Sequence, residues 1–485
     1  MAEKMMNISK AISAYTKLSR YSVLLYSFVF ILCAHISAVQ AYRDEGSGIA
    51  VDAEQNVYAT GITTTGNYHY LVNTLKYDSQ GRLLWEDTVI NRRANFRSDV
   101  MFDPFGDIVV RVMGDMGFIK YDPDGNILAQ GAFRDLPHTG ARQCAVDAEG
   151  NIICAGSTNL EPDQWYREED FLIVKYDVNG AALWSKRVSG VSDYNYPYDI
   201  SVDNSGAIYV TGKTNMTDYE FNATTIKLDE SGEVEWKSTL LNSDALYCNV
   251  LDNAGNIYDA GQLWPQDVAV VRKIDAAGNL QWEKTYNGRY VNNGFFGMTY
   301  CEGDGLYLCG STYDERSATD SDIIIAKYSD DGLLLWSDEY KTEVNGEDRY
   351  EGALLIACGS PGYIYVAGGC YAEINDNKNV LLLKYEVGGN LIWSVSYDEN
   401  GFRDKPEGID IDDEENVYMV GTSCLGSDNS TCDMLTIKYD SDGNIVWKAR
   451  YDYYTPPDNG DVDDDDDDDS GSDDDDDDDD SGCCG

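Results

Sequence analysis

The sequence predicts an all-β protein, a β-propeller of four-stranded antiparallel blades, with eight blades as the simplest count and seven as the alternative. A ten-residue segment typified by KYDVNGAALW (175–184) recurs eight times along the chain. A second phrase, typified by IAVDAEQNVYATG (49–61), lies upstream of each copy in a close or looser form. No stretch after residue 41 shows the 3.6-residue apolar period of an amphipathic helix. The chain is therefore expected to repeat one small β unit.

Each repeat reads as four strands joined by two tight hairpins. β-branched and aromatic residues alternate within the strands, while an Asp opens and a Gly closes each short turn. A four-stranded unit of about 50 residues cannot bury both of its faces alone, so the units are expected to pack side by side and close into a ring. The tight turns then lie at one end of the ring, and the variable loops lie at the other.

One tryptophan closes the repeat in seven of the eight units, and the remaining unit carries Ala129 instead. A set of aromatic rings can bind a ligand, but a large ring placed once per unit just after a turn is better suited to fill the wedge between neighbouring blades. We therefore expect structural inter-blade contacts from Trp85, Trp184, Trp236, Trp282, Trp336, Trp393 and Trp447.

A lysine also occurs once in every repeat. Residues i and i+2 of a strand share a face, so we expect Lys76 to pair with Asp78 and Lys175 to pair with Asp177. A catalytic lysine is not needed eight times, which favours a structural role.

The two ends of the chain differ from the repeats. Basic residues precede an apolar run of 14 residues from Tyr21 to Ala34, shorter than the ~20 residues that span a bilayer. Small residues in AVQA (38–41) suit a signal peptidase, so we expect a signal peptide at 1–41 and no membrane span after its removal. The propeller is expected at 42–456 and a disordered poly-Asp tail ending in Cys-Cys at 457–485. The protein is expected to be secreted, periplasmic or on the cell surface.

The charge balance restricts the partners. The chain carries 86 acidic and 36 basic residues, a formal net charge of −50, which repels phosphate backbones and anionic membranes. Nucleic acid is therefore excluded, and an unknown protein or carbohydrate is the expected partner. No cofactor is predicted, and calcium binding is the one alternative. The segments DPDGN (122–126) and DSDGN (440–444) resemble the start of a calcium loop, but they lack its closing acid and are interpreted as turns.

Cysteine usage indicates an oxidising compartment. Local disulfides are expected where two cysteines flank a turn or close a short loop. The candidates are Cys144 with Cys154, Cys301 with Cys309, and Cys424 with Cys432, and Cys358 with Cys370 is a looser fourth pair. Reduced, buried cysteines are the alternative.

The combined pattern D-x-x-G-N-x-Y-V-x-G … K-Y-D-x-x-G-x-x-x-W resembles the bacterial and archaeal seven-bladed propeller repeat family abbreviated SBBP, over nearly the whole chain between leader and tail. Its second half is also similar to the tryptophan-docking motif of eight-bladed quinoprotein propellers. Both resemblances imply a propeller. The chain departs from the first family in carrying eight units, and the second implies a periplasmic dehydrogenase as an alternative activity.

We expect an exported, non-catalytic propeller that binds or scaffolds through its variable-loop face, because loops on a rigid scaffold often carry binding residues. The alternative is a periplasmic propeller enzyme, quinoprotein dehydrogenase-like or lyase-like. No catalytic residue is assigned, since only His69 and His138 follow the leader and no nucleophile-elbow, Walker or zinc-protease motif occurs. Aromatic residues of two variable segments are the candidate binding residues: Trp165, Tyr166, Tyr194, Tyr196 and Tyr198.

Overall fold

The computed structural model describes most of the chain between residues 43 and 453. The described stretches are 43–64, 70–91, 98–112, 116–136, 139–159, 169–188, 195–217, 220–241, 243–290, 292–313, 321–341, 343–344, 347–348, 351–359, 362–371, 378–399, 401–426 and 432–453. The predicted signal peptide at 1–41 and the predicted tail at 457–485 lie outside these residues.

The described residues form eight groups of four consecutive strands, which we number as blades 1 to 8 in chain order. Blades 1 to 4 comprise β1 (Arg43–Val51), β2 (Val57–Thr64), β3 (Tyr70–Tyr77), β4 (Leu83–Asn91); β5 (Asp99–Phe102), β6 (Ile108–Val112), β7 (Gly117–Tyr121), β8 (Ile127–Gly131); β9 (Thr139–Val146), β10 (Ile152–Asn159), β11 (Glu169–Tyr176), β12 (Ala182–Val188); and β13 (Asn195–Val202), β14 (Ile208–Thr217), β15 (Glu220–Leu228), β16 (Val234–Leu240).

Blades 5 and 6 comprise β17 (Ser243–Leu251), β18 (Ile257–Leu263), β19 (Val268–Ile274), β20 (Leu280–Tyr286); and β21 (Asn292–Cys301), β22 (Gly305–Tyr313), β23 (Ser321–Tyr328), β24 (Leu334–Tyr340). A small hairpin of β25 (Glu343–Val344) and β26 (Glu347–Asp348) follows. Blades 7 and 8 comprise β27 (Glu351–Cys358), β28 (Tyr363–Tyr371), β29 (Lys378–Glu386), β30 (Leu391–Tyr397); and β31 (Asp404–Ile411), β32 (Val417–Cys424), β33 (Cys432–Tyr439), β34 (Ile445–Tyr451).

The blades close into a ring. Within each blade the strand order follows the chain and neighbouring strands are antiparallel. The first strand of each blade contacts the first strand of the next, and β31 of blade 8 returns to β1 of blade 1. First strands therefore surround the centre of the ring, and fourth strands form its outer edge. Blades 1 and 8 also share a parallel bridge between Arg43 and Cys432. The prediction of an all-β propeller is confirmed, and the described residues contain eight four-stranded blades.

The hairpin turns follow the predicted Asp and Gly chemistry. In the turn of DPDGN, Gly125 has a φ of 88° and donates its N–H to the carbonyl of Asp122 at 3.0 Å. The carboxylate of Asp122 accepts backbone N–H groups of Asp124 and Asn126 at 3.0 and 2.8 Å. The side-chain amide of Asn126 donates to its other oxygen at 2.8 Å. These bonds hold the turn together by the ordinary Asx mechanism.

The seven repeat tryptophans lie between blades. Each indole N–H donates to a backbone carbonyl in the turn between the third and fourth strands of the next blade, at 2.8–3.2 Å. The acceptors of Trp85, Trp184, Trp236, Trp282, Trp336, Trp393 and Trp447 are Pro123, Glu230, Ala276, Asp330, Val387, Ser441 and Ser79, respectively. Each indole therefore connects its own blade to the next.

The junction between blades 2 and 3 is packed differently from the seven junctions that contain a tryptophan. Ala129 is buried at the position of the missing tryptophan. Phe105, from the first turn of blade 2, packs over Gly150 of blade 3, where a ring atom lies 2.7 Å from the place that a Cβ on Gly150 would take. The phenyl ring thus contacts the first turn of blade 3, whereas the indoles elsewhere cover the glycine of the turn between the third and fourth strands, as Trp85 covers Gly125.

The repeat lysines are structural, but their predicted partners are wrong. Lys175 is buried and pairs with Asp147, in the first turn of its own blade, at 2.9 Å. Asp177 instead accepts the backbone N–H groups of its own turn. Lys76 donates to the carbonyl of Pro123 in the next blade at 2.7 Å, rather than to Asp78. The long side chain reaches past the i+2 neighbour because that carboxylate is engaged by its turn.

Three disulfides occur in the described residues: Cys144–Cys154, Cys301–Cys358 and Cys424–Cys432. The predicted pairs Cys301–Cys309 and Cys358–Cys370 are wrong. In blade 6, Cys309 lies opposite Gly297, whereas Cys301 lies opposite Gly305, so the two thiols are out of register. Cys301 and Cys358 end the first strands of blades 6 and 7, and their bond joins the two blades.

Candidate binding site in the central channel

Side chains from all eight blades meet around a cavity of about 540 Å³ at the centre of the ring. Its wall is made by the first strands, joined by Arg111 of β6. The lining residues are Ser47, Gly48, Ile49, Ser98, Asp99, Arg111, Arg142, Gln143, Tyr198, Asp199, Tyr247, Cys248, Phe296, Leu355, Glu407, Gly408 and Ile409.

In six of the eight blades, a bulge in the first strand places one side chain at this wall. In blade 5 the pairing register with the second strand skips Tyr247, and in blade 6 it skips Phe296. The same skip occurs at Ser47, Arg142, Tyr198, Leu354 and Glu407. A bulged residue leaves the ladder and its side chain is re-aimed, which is why bulges are common beside functional sites.

Three neighbouring blades supply an aromatic arc, defined as Tyr198, Tyr247 and Phe296. The ring centroids of Tyr198 and Tyr247 are 5.2 Å apart in an edge-to-face arrangement. Those of Tyr247 and Phe296 are also 5.2 Å apart, with the planes tilted by 50°. The guanidinium of Arg142, on blade 3, lies 5.2 Å from the centroid of Tyr198 and 5.3 Å from that of Tyr196. Such cation–π and edge contacts fix the rings in place.

The opposite side of the cavity is polar. Asp99 accepts a hydrogen bond from the side chain of Gln143 at 3.0 Å and from the N–H of Val100 at 2.9 Å. Arg111 donates to the carbonyl of Ala141 at 3.3 Å. Glu407 forms an ion pair with Lys405. Carboxylates, an amide and the guanidinium of Arg111 therefore lie on this side, together with the apolar Ile49 and Ile409.

Asp199 links two blades inside this wall. Its carboxylate accepts the N–H of Asn249, on blade 5, at 2.8 Å and that of Ile200 at 2.9 Å. Burial raises the pKa of Asp199 to about 6, and the charge of Asp99 adds to the effect. Burial likewise raises the pKa of the Cys248 thiol well above its ordinary value. The thiol is therefore protonated at neutral pH and is a weak nucleophile.

Two of the five predicted binding residues lie in or beside this site. Tyr198 lines the cavity, and Tyr196 stacks under Arg142. Both belong to β13 and not to an exposed loop tip, which corrects their expected placement. The other three, Trp165, Tyr166 and Tyr194, lie outside the described residues, as do His69 and His138.

Sequence reasoning missed Arg142, Tyr247 and Phe296, although the repeat contains a usable signal. The channel position stands five residues before the residue that opens the first turn of each blade. Tyr198 precedes Asp203 by five, Tyr247 precedes Asp252 by five, and Phe296 precedes Cys301 by five. Reading that column through the repeats gives Ser47, Ser98, Arg142, Tyr198, Tyr247, Phe296, Leu354 and Glu407.

Away from the channel, three carboxylates come together at the junction of blades 8 and 1. Oxygens of Asp44, Asp433 and Asp452 lie within 4.8 Å of one another, a spacing that could hold a cation. Burial raises the pKa of Asp44 to about 6. Arg450 already pairs with Asp433 at 2.5 Å and with Glu399 at 2.9 Å, and it supplies positive charge to this cluster.

The sheet topology and the channel define this chain as a β-propeller. Residues 183–220, from the last strand of blade 3 into the third strand of blade 4, match the family model of the SBBP β-propeller repeat, in agreement with the resemblance of the repeat pattern. A search of curated proteins with the whole sequence found no match.

Three solved structures similar to this chain are a lyase, the propeller domain of a protease and a xyloglucanase. Virginiamycin B lyase from Staphylococcus aureus is 11% identical, with a TM-score of 0.37, over 78% of this chain and 94% of that one. The propeller domain of the Trilobed protease from Pyrococcus furiosus is 10% identical, with a TM-score of 0.40, over 83% and 97%. The GH74 xyloglucanase from Xanthomonas campestris is 13% identical, with a TM-score of 0.44, over 70% and 51%. These likenesses are too distant to transfer an activity.

Proposed function

We propose that the chain is an exported, non-catalytic binding propeller whose central channel takes a carbohydrate. The observation that carries the proposal is the two-sided wall of the channel, with an aromatic arc on blades 4 to 6 and polar groups on blades 1, 2, 3 and 8. A sugar ring has the matching chemistry, because its C–H face packs on aromatic rings and its hydroxyl edge needs hydrogen-bond partners.

The size and the fixed geometry of the channel support this ligand class. A volume of about 540 Å³ lies within the range of about 300–1,000 Å³ that is common for small-molecule sites. The arc is braced by ring contacts between Tyr198, Tyr247 and Phe296, so little side-chain order has to be gained on binding. Asp99 and Gln143 offer acceptor and donor groups on the facing side.

Binding is favoured over catalysis by the state of two reactive groups. Both oxygens of Asp199 accept backbone N–H groups, and the one from Asn249 joins blade 4 to blade 5. The Cys248 thiol is held protonated by burial. Each group is thus engaged in structure or unreactive, which suits a recognition site.

Export is supported by the three disulfides of the described residues, since such bonds persist in oxidising compartments. Among the same residues, no helix has the length and apolar character needed to cross a bilayer. We place the protein in the periplasm, at the cell surface or outside the cell.

The test is a glycan array followed by calorimetry on the glycans that bind. Phe296→Leu and Tyr247→Leu remove one ring each while keeping an apolar side chain, and each is expected to weaken binding at least tenfold. Phe105→Leu is the matched control, because this phenyl ring packs at a blade junction away from the channel. The proposal fails if no glycan binds, or if the channel variants bind as well as the control.

A further inference from the structure

A second cavity, of about 240 Å³, opens beside the central channel between blades 6, 7 and 8. It shares Phe296 with the channel, so the phenyl ring belongs to both walls. We call it the side cavity; besides Phe296 its principal lining residues are Ala353, Leu354, Ala367, Gly369 and Pro406.

The wall of the side cavity differs in chemistry from the polar half of the channel. Its accessible apolar side chains are those of Leu354 and Phe296. Ala353, Ala367 and Pro406 line it as buried residues, and Ser311 adds one hydroxyl. Leu354 occupies the bulge position of blade 7 and is 40% exposed, so its side chain is accessible to a ligand. The ammonium of Lys405, which also lines the cavity, is paired with Glu407. The space therefore suits an uncharged, apolar group.

We infer that the ligand of the channel carries an alkyl or acyl substituent, and that the side cavity receives it. The inference rests on the proposed function and narrows it to glycosides with an apolar substituent. It follows from the shared ring: a sugar stacked on the arc at Phe296 lies against the same side chain that forms the wall of the side cavity. A substituent leaving the sugar at that edge passes from the polar channel into an apolar space, where its burial is favourable.

Gly369 gives a means of closing the side cavity without disturbing the sheet. A Cβ added at Gly369 would meet only the carbonyl oxygen of Asn379, at 3.9 Å, which is an ordinary contact. The neighbouring Gly368 is unsuitable, because a Cβ there would collide with the backbone oxygen of Gly352. Gly369→Val should therefore fold and fill part of the cavity with branched carbon.

The experiment measures, by calorimetry, the affinity of the protein for methyl and octyl glycosides of glucose, galactose and mannose. The octyl glycosides are kept below their critical micelle concentration. Wild-type protein is expected to bind the octyl form at least tenfold more tightly than the methyl form, since each buried methylene raises affinity by roughly fourfold. In Gly369→Val that ratio should fall close to one while the methyl glycoside binds as before. Leu354→Ser, at an exposed position, should lower the ratio too, and Leu241→Ser is the matched control for an exposed leucine elsewhere.

The outcomes separate the inference from the function on which it rests. Equal affinity for methyl and octyl glycosides in wild-type protein overturns the inference and leaves carbohydrate binding in place. A preference for octyl glycosides that survives both Gly369→Val and Leu354→Ser overturns it as well, because the octyl group is then bound elsewhere. Failure of every glycoside to bind overturns the proposed function itself.

Discussion

The indole N–H of Trp447 donates to the carbonyl of Ser79 at 3.1 Å, where blade 8 meets blade 1. Blades 1 and 8 are far apart in sequence, so this contact closes the ring. Two further bonds lie at the same junction: the N–H of Val51 donates to Asp410 at 2.8 Å, and that of Tyr453 donates to Asp44 at 2.9 Å. Among the described residues, the two blades exchange no strand and share one backbone bridge, between Arg43 and Cys432. Closure therefore depends largely on side chains.

Trp447→Ala is expected to lower the free energy of unfolding by about 3–5 kcal/mol, the usual range for removing a large aromatic ring from a packed position. Trp85→Ala is the matched control. Its ring makes the same contact between blades 1 and 2, which the chain itself keeps adjacent. Denaturant unfolding should show the larger loss for Trp447. Equal losses would mean that the junction of blades 8 and 1 has no special role.

Gly125→Ala is expected to destabilise the protein by roughly 1–2 kcal/mol, since the φ of 88° is unfavourable for residues with a Cβ. The added Cβ would also lie 2.8 Å from a ring carbon of Trp85. Gly388→Ala serves as the control, because a Cβ there has nothing within 4 Å. Thermal unfolding of the two variants checks the difference, and similar melting temperatures would contradict it.

Removing the Cys301–Cys358 disulfide should cost more stability than removing Cys424–Cys432. The two bonds span sequence separations of 57 and 8 residues. On the chain-entropy model the losses are about 4 and about 2.5 kcal/mol, because the longer loop gains more freedom in the unfolded state. Double serine variants compared by denaturant unfolding test the order. A larger loss for the short loop would refute it.

Mild acid should stabilise the fold. Burial raises the pKa of Asp44, Asp199 and Asp404 to about 6, so the folded state binds protons that the unfolded state, with a value near 3.8, has already lost. Stability is therefore expected to increase as the pH falls from about 7 to about 4. Although burial opposes it, hydrogen bonds led by that from Lys448 lower the pKa of Glu399 to about 2, and the stability from this group is lost as the pH falls from about 4.5 toward 2.

Asp404→Asn isolates one part of this effect. Asp404 is fully buried, and its Oδ1 atom has no hydrogen-bond partner in the part of the chain that the structure describes. Removing the charge should raise the melting temperature at pH 7 and flatten the increase between pH 7 and pH 4. Asp78→Asn is a control with a half-buried carboxylate that is bound by its own turn. An unchanged pH profile in Asp404→Asn would rule out this carboxyl as a source.

The channel shows where sequence reasoning reached its limit. The bulge that skips Tyr247 and Phe296 leaves no mark in the alternation of apolar and polar residues, so neither was predicted as a binding residue. Tyr198 was chosen for its aromatic character, and its placement at a loop tip was wrong. The pairing of Cys301 with Cys358 depends on the register between two blades, which no local spacing contains.

The amino-acid pattern alone was enough to predict the repeat unit, its four strands, the turn chemistry and the inter-blade role of the tryptophans, but it left eight and seven blades as alternatives. These features depend on contacts within one repeat or with a similar neighbouring repeat. Each of them occurs seven or eight times along the chain. Which side chains face one another across the channel became visible only in the folded ring. Their placement depends on ring closure and on a bulged residue in the inner strand of seven blades, which bring together positions about 50 to 350 residues apart.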